Sequence, residues 1–77
     1  MNDCSLYDLA PGERARIRTM ELTGGMRRRL RDVGLTEGTV VECLGVSPGG
    51  DPKAYRIRGA AIALRGTDGR RIRVDRL

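Results

Sequence analysis

Across residues 13–20 the chain alternates strictly: Ala15, Ile17 and Thr19 fall on one side, Arg14, Arg16 and Arg18 on the other. A period of two marks a half-buried strand, with the arginines outward. The period then changes. Leu22, Met26, Leu30 and Val33 stand four, four and three residues apart, which is one face of a helix. Thr23 is placed to cap its start, and Gly34 to end it in a left-handed conformation. Gly24 and Gly25 are poor helix formers, so regular helix is expected from Met26 onward. Arg28 and Arg29 stand four and three residues before Asp32, within ion-pair reach on a helix.

Alternation then returns. Residues 40–46 read as a second strand, opened by a turn over residues 35–38. Ser47-Pro48-Gly49-Gly50-Asp51-Pro52 is dense in turn formers and reads as a loop. A third strand covers residues 54–58, with Tyr55 and Ile57 inward, and Gly59 marks a turn or bulge. A fourth covers residues 61–65, with Ile62 and Leu64 inward. Gly66-Thr67-Asp68-Gly69 reads as a hairpin loop, and residues 71–74 as a fifth strand with Ile72 and Val74 inward. Ahead of them all, Ser5 looks like the cap of a short turn whose apolar face is Leu6 and Leu9. Ala10-Pro11-Gly12 then turns the chain.

Five strands this short cannot bury two faces in 77 residues. Closing them into a small barrel hides the edges and encloses one core. The expected fold is mainly β: a partly open, SH3-like five-stranded barrel with one α-helix between strands 1 and 2, residues 1–77 forming a single domain.

Charge narrows the partner. The net charge is +5, carried by 14 arginines and the lone lysine Lys53. Arginines cluster at residues 27, 28, 29 and 31 and again at 70, 71, 73 and 76. Such excess suits an acidic partner, whether nucleic acid, anionic membrane or protein, although alternating arginines also fit the wet face of a strand. Two tyrosines and no Phe or Trp leave almost no platform for stacking bases, so nucleic acid is disfavoured. The longest apolar run, Ala60-Ala61-Ile62-Ala63-Leu64, falls far short of the ~20 residues of a membrane helix. No basic stretch followed by an apolar one opens the chain, and a cytoplasmic location is the default.

The chain has no histidine and two cysteines, Cys4 and Cys43. We read both as reduced thiols, Cys43 as a small core residue and Cys4 as incidental to the tail. Without histidine, and with no clustered acidic spacing, neither catalysis nor a metal site within one chain is expected. Ferrous iron held between subunits stays open, as does a homo-oligomer.

The order of residues resembles a known family. Arg29-Leu30-Arg31-Asp32-Val33-Gly34-Leu35-Thr36-Glu37-Gly38 is similar to the "RL-x-[DE]-[LMV]-G-[LI]-x-x-G" centre of the ferrous iron transport protein A (FeoA) family. Residues 6–17 resemble its "L-x-x-L-x-x-G-x-x-x-x-I" opening, Gly50-Asp51-Pro52 its "GDP" loop, and residues 55–65 its "v-x-G-x-x-iaLR" stretch. The resemblance covers nearly the whole chain. It implies an SH3-like barrel in a small cytoplasmic accessory of bacterial ferrous iron uptake. Such an accessory would bind the cytoplasmic G-protein region of the membrane transporter, ferrous iron transport protein B, without entering the membrane. An alternative is an SH3-like barrel that binds nucleic acid through its arginines.

Site residues follow from motif and chemistry together. Arg27, Arg28 and Arg31 on the outer helix face, with Gly50 and Asp51 in the loop, are the candidate partner-binding residues. Arg29, Leu30, Asp32, Gly34, Leu35, Gly38 and Pro52 form the structural motif. Leu30 is read as the core anchor, and Gly34 and Gly38 as positions needing a left-handed backbone. Arg29 is read as a stem packed on the barrel whose guanidinium pairs Asp32, caps carbonyls or meets a partner. Asp51 is read as turn chemistry before Pro52.

Overall fold

A computed structural model describes residues 4–77. Six strands form one antiparallel sheet: β1 (Cys4–Ser5), β2 (Arg14–Met20), β3 (Val40–Val46), β4 (Lys53–Ile57), β5 (Ala60–Leu64) and β6 (Ile72–Arg76). Their order is β1-β6-β2-β3-β4-β5, so the last strand lies between the first two. Among the described residues two helices accompany them, α1 (Gly24–Asp32) and the single turn α2 (Gly66–Gly69), and a 3-10 turn spans Leu6–Asp8.

The core is the set of inward positions that alternation selects. Ile17, Val41, Cys43, Tyr55, Ile57, Ile72 and Val74 are all at most 2% exposed, joined by Leu6, Leu9 and Leu35. The 3-10 turn starts as expected at Ser5. Its backbone N–H and its hydroxyl both donate to Asp8 Oδ2, at 2.9 and 3.1 Å, which turns Leu6 and Leu9 into the core.

Four expectations need correction. Strands number six, not five. β1 is two residues long, too short to show any alternation, and it places the tail residue Cys4 opposite Val74 in the core at 6% exposure. Thr19 is exposed, not inward. β2 pairs Ile17 with Val74 but Thr19 with Arg73, so Arg18 is an extra residue, and the bulge hands the next inward position to Met20. Residues 66–69 are a helical turn rather than a simple hairpin loop. Finally, α1 begins at Gly24 rather than Met26, and its apolar face is shorter than the spacing suggests: Leu22 is buried ahead of the helix, while Val33 is 40% exposed.

The β4–β5 hairpin is tight. Ile57 pairs with Ala60 across the two residues Arg58 and Gly59, whose φ angles are +49° and +84°. Positive φ at both central positions is the type I′ geometry whose twist matches the flanking strands.

Candidate functional site

The family motif proves to be the end of α1. Leu35 N–H donates to Leu30 O at 2.9 Å, and Gly34 N–H to Arg31 O at 3.0 Å. That pair of bonds is a Schellman motif, closed by the apolar contact between its first and last residues. Leu30 and Leu35 are those residues, both in the core. Gly34 sits at φ +98°, and a Cβ there would run into Arg58 Cδ. Arg58 comes that close because its Nε donates to Gly34 O at 3.1 Å, an oxygen that also accepts from Thr39 Oγ1 at 3.2 Å. Gly38 N–H donates to Ile17 O at 2.8 Å, tying the turn into β3 back to β2.

The candidate partner-binding arginines are not equivalent. Arg27 is turned to internal use: its Nη1 donates to Met20 O at 2.9 Å, and its Nη2 lies 3.7 Å from Glu37. Arg28 and Arg31, three residues apart on one side of α1, are exposed, and among the described residues neither has an ion-pair or hydrogen-bond partner. Asp32 is exposed and among the described residues pairs with no arginine. Arg29 is exposed and lines a groove beside the helix.

The loop residues lie at a second place. Gly50 N–H donates to Ser47 O at 2.7 Å, closing a turn. The Asp51 carboxylate accepts from Gly66 N–H at 2.7 Å, so it holds the first turn of α2, 15 residues on. Asp51–Pro52 is a cis peptide bond.

Sequence reasoning missed a cationic cluster around Tyr7. Lys53 Nζ and the Arg70 guanidinium stand 4.5 and 4.4 Å from the Tyr7 ring centre. Lys53 Nζ also donates to Tyr7 O at 2.5 Å and to Leu9 O at 3.1 Å. Gly66 packs on the same ring, where a Cβ would come within 2.8 Å of Cε1. No local pattern could reveal this, because the partners are 46 to 63 positions apart in the chain. Nor did periodicity expose the groove between α1 and β5, about 580 Å³, walled by Met26, Leu30 and Val33 on one side and Ile62, Ala63 and Leu64 on the other.

Among the described residues, three titratable groups are displaced from their ordinary values. The Ser5 backbone N–H holds the Asp8 carboxyl below the usual range, against the opposing effect of burial, with help from the Ser5 hydroxyl. Burial pushes the Cys4 thiol up. Burial also pushes the Tyr55 hydroxyl well above its usual value, and that hydroxyl donates to Leu6 O at 3.2 Å. The Cys4 and Tyr55 shifts thus record burial, and the Asp8 shift records its hydrogen bonds to Ser5. Among the described residues, no three His, Cys, Asp or Glu side chains gather where they could hold a metal ion.

Comparison with known proteins follows the same lines. Residues 4–76 match the FeoA domain family. No curated protein matches the chain. Among solved structures, the FeoA protein of Chlorobium tepidum superposes with a TM-score of 0.91 at 31% identity, over 96% of this chain and 70% of that one. Iron(II) transport protein A of Clostridium thermocellum gives 0.90 at 32% identity, over 96% of this chain but 46% of that one. The FeoA of Stenotrophomonas maltophilia gives 0.79 at 28% identity, over 94% of this chain and 89% of that one. It was solved with zinc and is described as a prokaryotic SH3 domain protein and candidate ferrous iron transport activating factor.

Proposed function

The chain belongs to the FeoA domain family, which is implicated in ferrous iron transport, and from that premise we propose that it is a non-catalytic cytoplasmic accessory that docks onto the cytoplasmic G-protein region of ferrous iron transport protein B. The observation that carries the reading is the pair Arg28 and Arg31. Two guanidinium groups on one side of a short helix repel each other, and among the described residues neither has an ion-pair partner. Arginine forks suit carboxylates bidentately, and an acidic surface on the transporter would neutralise both. Arg27 orients this side of the helix by its bond to Met20 O, a positioning role. Gly50 and Asp51 offer a second contact at the tip of the β3–β4 loop. The reading assigns the chain no cofactor of its own.

The test is a pull-down with the transporter's purified cytosolic domain. Replacing Arg28 and Arg31 together by Glu should weaken capture at least about tenfold, the scale of one to two close charge pairs. Undiminished capture by that variant removes the helix face from the account.

A further inference from the structure

Among the described residues, β5 is an edge strand of the sheet with no neighbour on its outer side. β5 pairs with β4 alone, and among the described residues its outer side makes no backbone hydrogen bond. The geometry says which groups are free. In a two-residue hairpin the flanking pair, Ile57 with Ala60, is the hydrogen-bonded one, and pairs alternate from there. Tyr55 with Ile62 is therefore bonded, whereas Arg56 with Ala61 and Ala54 with Ala63 are not. The N–H and C=O of Ala61 and Ala63 thus point away from β4, toward open space. Beside them runs the groove whose far wall is α1, with Met26 half-buried and Val33 40% exposed. An unpaired edge above a partly apolar groove is a template for an added strand.

Charge selects what can fill it. Arg29 stands on the helix wall and Arg65 at the end of β5, with one carboxylate, Asp68, at the α2 end. Arg58 lies at the hairpin tip, against Gly34. A second copy of this chain pairing edge to edge would press two chains of net charge +5 together with their Arg29 and Arg65 at one seam. An acidic strand meets no such cost.

We propose that the β5 edge and the α1 groove take up an extended acidic peptide segment of a partner protein as a seventh strand. Backbone bonds from Ala61 and Ala63 supply the register, and Arg29 and Arg65 pair the alternate carboxylates. This deepens the docking role proposed above by giving the partner's chemistry. Its test does not use the transporter, so the two readings can fail separately.

The probe is a capped eight-residue peptide alternating Glu and Val, titrated into the isotopically labelled full chain and followed by amide NMR, with a Lys/Val peptide as control. The Ala61 and Ala63 amides should shift and become slower to exchange, and the dissociation constant should rise about fivefold between 50 and 300 mM salt. Ala63→Pro deletes an outward N–H that β4 does not use, so the fold should persist while binding is lost. If that variant loses its dispersed spectrum, the double change Arg29→Glu, Arg65→Glu decides, by switching preference to the Lys peptide. Equal binding of both peptides by the unaltered chain overturns the proposal. So do shifts confined to the Arg28 and Arg31 side of α1, or concentration-dependent broadening at β5 without peptide, which would mean a second copy.

Discussion

Gly34 carries two constraints at one position: a left-handed backbone and a side chain lying where its Cβ would be. Gly34→Ala should therefore cost about 1–3 kcal/mol, the range for a strained non-glycine residue at such a φ. In a domain this size each kcal/mol lowers Tm by roughly 4–8 °C. Arg58→Ala removes the clash but leaves the φ strain, so in a double-mutant cycle Gly34→Ala should cost measurably less in the Arg58→Ala background. Additive effects would show that the contact is immaterial. Tyr55 governs the alkaline limb of stability. Its native-state pKa lies above the ordinary 10.0, so the folded protein keeps the hydroxyl proton where the unfolded chain loses it. Its contribution is complete below pH 10 and falls as pH rises beyond, with Cys4 adding the same trend from its ordinary 9.0. Denaturant melts of Tyr55→Phe should show a flatter decline above pH 10, at the expense of about 1 kcal/mol at neutral pH for the lost hydrogen bond, since Leu6 O keeps the Leu9 N–H as a donor. At the acid end the sign reverses. Asp8 titrates below its ordinary 3.8, so its contribution is present above that pH and disappears as pH falls through the lowered value.

Among the elements, the strands were written plainly in the chain and the small pieces were not. β3, β4, β5 and β6 follow alternation because each keeps one face in the core, as Cys43, Tyr55, Leu64 and Val74 show. The Schellman end of α1 was equally readable, since Leu30, Gly34 and Leu35 have fixed spacing and fixed reasons. α2 was unreadable as a helix because nothing within Gly66-Thr67-Asp68-Gly69 makes one. Its first N–H is held by Asp51, and its glycines fit against Tyr7, both far away in sequence. Thr19 failed for a related reason: a bulge depends on the partner strand's register. The candidate site was legible as a charge cluster on a helix, yet not in the division of labour between Arg27, used internally, and Arg28 and Arg31. Asp51→Ala should cost about 1 kcal/mol, as for a lost cap. Hydrogen exchange should speed up in residues 47–52 and 66–69 together; acceleration in the loop alone would disconnect the two.

At the scale of the whole molecule, the ion pairs seen among the described residues are long. The recorded ion pairs, Arg18–Asp75, Arg27–Glu37, Arg73–Glu21 and Arg76–Glu13, lie at 3.7 to 3.9 Å between largely solvated side chains. Pairs of that kind contribute little. Against them stands the mutual repulsion of a chain at +5. Raising salt from 50 to 500 mM should therefore raise Tm by a few degrees, about 0.5 kcal/mol, because screening relieves more repulsion than attraction. A falling Tm would mean that the ion pairs dominate.

The place of β6 has a consequence for synthesis. It bonds β1 on one side and β2 on the other, so the sheet has no continuity between its first two strands until Ile72–Arg76 is present. A nascent chain still lacking that segment has Ile17 and Met20 without their cross-strand partners Val74 and Ile72. Completion of the sheet therefore waits for the segment made last among its six strands, and until then one side of β2 offers an unpaired edge during translation.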